Sequence, residues 1–310
     1  MHFECLQDSP KDYISSLLVL EKAPHVVATA WDGTLSLYDY EANELLLRMK
    51  HENGLLSSVW SACGKKYVGS VQGDILEVDL ESERFELVSE EATLGICAMS
   101  SNSSNLVAGS WDGSLQMLDM RTGSIWHNEK LGNGKILALD SNDETVVVSY
   151  AGGKVVTYDQ RNMNTPVIRD SGLKFQTRDI KLMPQGNGYV QSSLDGRVAV
   201  EYLNDESLRF AFRCHRMNLP DTQFVFPVNA LAFSPTNGHL YTGGSDGKVF
   251  AWNLNTRKKS EELPKLDESV VRLAISSKVL CVATADDSFK TLATIQDAET
   301  QSGQIYFTKL

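Results

Sequence analysis

Long apolar runs are missing from this chain of 310 residues. No stretch reaches the roughly 18 apolar residues of a membrane span, and Glu4, Asp8, Lys11 and Asp12 stand where a secretory leader needs an unbroken apolar core. The chain is expected to be neither exported nor membrane-spanning. Metal-ligand patterns are absent as well. The five cysteines, at Cys5, Cys63, Cys97, Cys214 and Cys281, are far apart, with no C-x-x-C pair, and the six histidines are scattered singly. That spacing excludes the usual zinc frameworks and predicts reduced, mostly buried thiols. Basic residues are scarce too: 29 against 40 acidic ones, a net charge of -11. Such a surface repels nucleic acid, so no nucleic-acid partner is expected and any local basic cluster is informative.

Catalytic signatures are also lacking. There is no phosphate-cradling Gly-Lys-Ser/Thr loop, no G-x-S-x-G, no H-E-x-x-H and no calcium-loop pattern. Leu131-Gly132-Asn133-Gly134-Lys135 resembles a fragment of a Gly-rich loop but joins two strand-like runs and opens no helix. The reading is no enzyme, no cofactor and no metal.

What the chain does have is a period. Short apolar runs break at turns centred on Gly33, Gly73, Gly113, Gly153 and Gly196, spaced 40, 40, 40 and 43 residues apart, and on Gly247 after 51. A seventh run ends at Ala285-Asp286-Asp287 after a further 40. Strand-turn-strand units repeating near 40 residues are the signature of a β-propeller. In the first unit Ile14 to Leu20, His25 to Ala30, Thr34 to Tyr38 and Glu44 to Met49 are the expected strands. Trp31-Asp32-Gly33 lies between the second and third, where Asp-Gly supplies the positive φ of a tight hairpin turn. Third strands end in Tyr38-Asp39, Val78-Asp79, Leu118-Asp119, Tyr158-Asp159 and Trp252-Asn253, worn versions of the Trp-Asp pair of WD repeats. The expected fold is all-β: one seven-bladed WD-repeat propeller over residues 1–310. The last blade lacks a fourth strand, which residues 1–7 are free to supply, closing the ring; residues 286–302 read as an insertion in that blade.

The fifth unit carries a basic hairpin. Two alternating runs, Arg197 to Tyr202 and Leu208 to Arg216, flank a polar loop and should pair antiparallel. Centring on Asp205 sets Val198 opposite Phe212, Val200 opposite Phe210 and Tyr202 opposite Leu208 on an apolar face. The other face then sets Glu201 opposite Arg209, Ala199 opposite Ala211 and Arg197 opposite Arg213. Like charges facing each other across a ladder are destabilising by up to ~1 kcal/mol. Two readings follow: a phosphate normally sits between the guanidinium groups, with His215 and Arg216 close by, or each arginine pairs with an acidic neighbour such as Asp195.

Trp31 and Trp111 occupy equivalent turns of blades one and three, on the rim where Arg178 should also point. Trp and Arg are common interface anchors. Alternatively each Trp packs on a neighbouring blade and Arg178 pairs with Asp179.

Several segments carry a resemblance: Pro10-Lys11-Asp12-Tyr13-Ile14-Ser15, both Trp-Asp-Gly turns, Thr93-Leu94-Gly95-Ile96-Cys97, Ser171-Gly172-Leu173-Lys174, Gly196 to Tyr202 and Phe212-Arg213-Cys214-His215-Arg216. They resemble the Bub-three family of spindle-checkpoint proteins, yeast-type members above all, from the first repeat to Lys290. The resemblance implies a non-catalytic kinetochore adaptor, monomeric when free, nuclear and at kinetochores in mitosis, with no membrane partner. It implies a rim that binds the GLEBS segments of the checkpoint kinase Bub-one and of a Mad-three or BubR-type protein, through Trp31, Trp111, Arg178 and Arg216. It further implies that Arg197 and Arg213 read phosphothreonine in Met-Glu-Leu-Thr repeats of a kinetochore scaffold. The alternative is the related messenger-RNA export propeller of the Rae or Gle type, which binds a nucleoporin GLEBS segment. The acidic charge and the Leu94-Gly95-Ile96-Cys97 and Ser171-Gly172-Leu173-Lys174 segments favour the checkpoint family.

Overall fold

The computed structural model describes residues 2–286 and 303–310. Seven four-stranded antiparallel sheets follow one another as the blades of a propeller. Blade one is Ile14–Val19, His25–Ala30, Thr34–Asp39 and Glu44–Lys50, close to the strands read from sequence. The last blade is assembled from both ends of the chain. Its strands Ser269–Ile275, Val279–Ala285 and Gln304–Lys309 are completed by Glu4–Cys5, whose two residues pair with Phe307 and Tyr306. Leu6 anchors this closing strand, 1% exposed, with its N–H 2.8 Å from the Ile305 carbonyl. Apart from Asp286, the expected insertion at 286–302 lies outside the described residues.

Seven apolar clusters make up the core, one at each seam between neighbouring blades, from blades one and two round to blades seven and one. Inner strands are buried by both neighbours, whereas outer strands such as Glu44–Lys50 alternate between half-buried and exposed. Burial separates the cysteines: Cys214 and Cys281 are buried and Cys97 half-buried, but Cys5 and Cys63 are exposed, which corrects the expectation that most are buried.

Every inner strand has a one-residue register shift at the same place, next to Ile14, Leu55, Ile96, Ile136, Thr177, Val228 and Val270. A β-bulge re-aims the extra side chain, and in blade five that residue is Arg178.

Each seam is also pinned by a side chain on a main-chain group around the channel. Ser15 donates to Leu55 O (2.6 Å), Ser57 to Ile96 O (2.7 Å), Cys97 to Ile136 O (3.2 Å), Asn229 to Val270 O (2.8 Å) and Arg272 to Ser15 O (2.6 Å). At the two seams of blade five the polarity reverses. Asp140 accepts from Leu182 N and Asp179 from Leu231 N, both at 2.8 Å. These carboxylates flank Lys181 in the channel. Burial works against its charge, but Asp140 and Asp179 outweigh that and hold its pKa above the ordinary range. Burial pushes the Asp179 carboxyl up, against the pull of Lys181.

Candidate functional site

Two regions, one at the channel mouth and one on the side of blade five, gather the residues singled out in the sequence. At the mouth, Trp31 follows the second strand of blade one, held by its N–H on Tyr13 O at 3.1 Å, and Trp111 repeats this on Gly95 O at 3.0 Å. Neither simply packs on its own neighbour. The two rings stack on each other with centroids 5.9 Å apart and planes at 27°, although their blades are not adjacent. Gly95 fits closely here, since a Cβ would press on the Leu56 side chain and lie 3.1 Å from the Val71 carbonyl and 3.2 Å from the Trp111 ring. Trp31 stays 42% exposed, leaving the outer part of the pair open.

Asp112 braces the turn after Trp111, accepting from Thr93 N at 2.9 Å and Ser114 N at 2.8 Å. Burial opposes its ionisation, but hydrogen bonds from Lys130, Ser114 and Thr93 win and hold the carboxyl far below the usual range. The Trp pair borders a cavity of about 570 Å³ that Arg178 also lines, together with Lys11 and Arg272. Arg178 enters because the bulge turns it there. Three cations thus meet two indoles at the mouth of an acidic protein, with Asp12 and Asp286 on the same wall.

Arg272 escaped the sequence reading. Its signal was available: a charge inside the apolar strand Ser269–Ile275, which only a channel-facing position tolerates. Arg216, expected at the rim, does not line the cavity. It spends its guanidinium on Gln223 Oε1 at 2.7 Å and Asp195 O at 2.8 Å. It thereby fastens a small extra hairpin, Arg216–Asn218 with Gln223–Val225, onto the turn of blade five. That hairpin, unforeseen in the sequence, exposes Met217 and Phe224, and Phe175 and Leu194 are exposed in the blade-five loops beside it.

On the side of blade five the expected register holds for four rows: Arg197 opposite Arg213, Val198 opposite Phe212, Ala199 opposite Ala211 and Val200 opposite Phe210. It then stops. Tyr202 does not pair with Leu208 and Glu201 does not face Arg209 in the ladder, because residues Glu206–Leu208 form a 3₁₀ turn. Asp205 caps that turn, accepting from Ser207 N at 2.9 Å, so the loop takes residues the sequence reading had given to the strand.

The apolar face packs into blade six, where Phe212 meets Trp252 with centroids 4.6 Å apart. The arginines stand on the other face. Arg197 Nε lies 3.0 Å from Asp195 Oδ2, an ion pair in which the N–H is not aimed at the oxygen. Arg197 remains 41% exposed. Among the described residues Arg213 makes no ion pair, so only one of the two arginines is matched with an acidic neighbour.

His215 is not part of this fork. It is 1% exposed, with Nδ1 2.8 Å from Asp246 Oδ1 and Nε2 3.0 Å from Thr242 Oγ1, and Trp252 Nε1 donates to the same hydroxyl at 3.1 Å. The expectation that His215 helps bind a phosphate is therefore corrected. The blade-six turn captures it and locks the end of the basic hairpin to the next blade. No cluster of three or more His, Cys, Asp or Glu that could hold a metal occurs among the described residues. None of the described helices is long and apolar enough to cross a membrane.

Seven bladed sheets, worn Trp-Asp pairs and the Trp252-Thr242-His215-Asp246 chain define a WD-repeat propeller. The WD domain, G-beta repeat family matches residues 88–119 and 219–253. Among solved structures, the WD40 repeats of RRP9 superpose with a TM-score of 0.85 at 16% identity, covering 99% of this chain and 97% of that one, a likeness of fold alone. The mitotic checkpoint protein bub-3 of Caenorhabditis elegans is 32% identical over 84% of this chain and 80% of its own. The spindle assembly checkpoint protein bub3 of Schizosaccharomyces pombe is 31% identical over 90% of both. A poly(A)+ RNA export protein of Schizosaccharomyces pombe is 27% identical over 84% of this chain and 77% of its own. The chain belongs to the Bub3 family of mitotic checkpoint WD-repeat proteins.

Proposed function

We propose that this protein is a non-catalytic adaptor that brings checkpoint components to a phosphorylated kinetochore scaffold. The mouth binds GLEBS segments of a Bub-one-type kinase and of a Mad-three or BubR-type protein, and the side hairpin binds phosphothreonine in Met-Glu-Leu-Thr repeats. The protein works in the nucleus and at kinetochores in mitosis.

The observation that carries this reading is the Arg197–Arg213 row. Among the described residues only Arg197 of the two has a counter-charge, so the free protein bears the cost of juxtaposed guanidinium groups that a phosphate of charge about -2 removes. Two charge-assisted hydrogen bonds of about 1.5 to 3 kcal/mol each then make binding depend on phosphorylation. At the mouth, Lys11, Arg178 and Arg272 beside the stacked tryptophans suit a segment with acidic and apolar side chains.

The test uses two peptides. A phosphothreonine peptide of Met-Glu-Leu-Thr type should bind while its unphosphorylated form does not, and an Arg197→Glu, Arg213→Glu double variant should lose it. A GLEBS peptide should bind that double variant normally and fail on Trp111→Ala. Unchanged phosphopeptide affinity in the double variant contradicts the side site. Capture of a nucleoporin segment in place of the kinase segment would favour the export relative.

A further inference from the structure

Proline follows a hydroxyl residue at three places in this chain: Ser9-Pro10, Thr165-Pro166 and Ser234-Pro235. The fold treats the three hydroxyls differently. Ser9 is spent on closing the ring, since its Oγ donates to Leu6 O and accepts from Ile305 N, both at 3.1 Å, and Pro10 is buried. Ser234 is 1% exposed, and its hydroxyl meets that of Thr236 at 2.9 Å. Thr165 is exposed, and among the described residues its hydroxyl makes no hydrogen bond.

Thr165 lies in the outer strand of blade four, Asn162–Asp170, which is the free edge of its sheet. The ladder to the third strand is interrupted there. Val167 pairs with Thr157 and Asn162 with Asp159, so residues 163–166 stand where the third strand offers only Tyr158. Met163 takes the inward position, 5% exposed in the apolar cluster between blades three and four, and the bulge that follows leaves Asn164 and Thr165 exposed. Pro166 keeps this stretch open. It has no N–H to give a ladder, and it biases Thr165 toward extended backbone. The nearest acidic residues along the chain are Asp159 and Asp170, whereas Arg161 and Arg169 stand four positions away on either side.

We propose that Thr165 is a phosphorylation site for a proline-directed protein kinase. Thr165 Oγ attacks the γ-phosphorus of ATP and the Oγ–P bond forms. The bond from that phosphorus to the β,γ-bridging oxygen breaks, ADP leaves with the electron pair, and the hydroxyl proton passes to the kinase's catalytic carboxylate. A kinase pocket that packs on proline holds no acceptor for an N–H, so any other residue after Thr165 would bury an unsatisfied donor. The strand carries the new phosphate far from the rim. Its upper end meets the rim turn, where Ser171 N bonds Gly153 O at 2.8 Å, and Thr165 lies six residues, roughly 20 Å, below that bond. The site stands apart from the Trp pair and from the arginine row, so the assignment does not rest on the reading of either.

The experiment incubates the folded full chain with ATP and a cyclin-dependent kinase, with histone H1 as an internal control, and locates phosphate by mass spectrometry. Wild type should take one phosphoryl group, on Thr165. Thr165→Ala should take none, and Thr165→Ser should take it at the same position. Pro166→Ala should slow transfer by about tenfold, the cost of one unsatisfied donor. Both positions lie on a free edge, so the fold tolerates these changes, and circular dichroism checks that it does. The assignment is overturned by a wild-type chain left unmodified while histone H1 is phosphorylated, by transfer to Ser9 or Ser234 in place of Thr165, by a Thr165→Ala chain modified as fully as wild type, or by an unchanged rate in Pro166→Ala.

Discussion

The indole of Trp31 lies 5.9 Å from that of Trp111, with the planes 27° apart, across the mouth of the channel. Two turns separated by two repeats thus build one aromatic surface, open to solvent on the Trp31 side. Aromatic pairs of this kind contribute about 0.5 to 1.5 kcal/mol beyond the area they bury. Trp31→Ala should therefore lower stability modestly, by about 1 kcal/mol, because the stacking is lost although the ring is 42% exposed. A central Trp anchor is worth 2 kcal/mol or more to binding, so GLEBS peptide affinity should fall roughly thirtyfold. Calorimetry on the folded variant checks both halves.

Arg213→Ala should act in opposite directions on stability and binding. Removing one member of the like-charge row stabilises the free protein by up to ~1 kcal/mol. Loss of a charge-assisted bond weakens phosphopeptide binding by about tenfold or more. Urea unfolding paired with anisotropy reads the two numbers, and a destabilised variant would mean that the row is satisfied from within.

Lys181→Met should destabilise the propeller. It leaves Asp140 and Asp179, which pin both seams of blade five, without their shared cation. Breaking a fully buried pair costs about 3 to 5 kcal/mol; the channel admits some solvent, so about 2 kcal/mol is expected. Adding Asp140→Asn should recover part of it, measured by urea midpoint.

Acid should weaken the Trp111 turn. The Asp112 carboxyl is held well below its ordinary value of 3.8, so its stabilisation is complete above that value and is lost as pH falls through the lower folded-state pKa. Wild type should therefore lose stability below about pH 4. Asp112→Asn, less stable at neutral pH, should lose less on acidification. Identical acid profiles for the two proteins would contradict this.

Closure at the N-terminus predicts that Leu6→Ala costs about 2 to 4 kcal/mol, as for other fully buried leucines. Deleting residues 1–7 should lower the melting temperature further, because it exposes the Gln304–Lys309 edge. Differential scanning calorimetry separates the two.

Much of this protein is local in origin, and that part was legible. Turn chemistry at Gly33, Gly113 and Gly247 and strict alternation in Arg197–Tyr202 act within a few residues, so blade number and the Arg197–Arg213 row followed from sequence alone. Register was read correctly only as far as packing against blade six enforced it. Beyond Val200 and Phe210, the Asp205 cap offered the backbone a competing hydrogen bond, and the strand gave way to a 3₁₀ turn. His215 was misjudged for a similar reason: its partners Asp246 and Thr242 belong to the next blade.

The sequence by itself determined the repeat, the antiparallel blades, the acidic balance and the two arginines that face each other, since each depends on neighbours a few residues apart or on composition. Only the tertiary structure decided which side chains meet at the channel. The bulge that turns Arg178 inward, the stacking of Trp31 on Trp111 and the inward course of Arg272 depend on closing the ring. Ring closure brings together residues far apart in the chain, 257 positions in the Arg272–Ser15 bond, and no local pattern encodes contacts of that range.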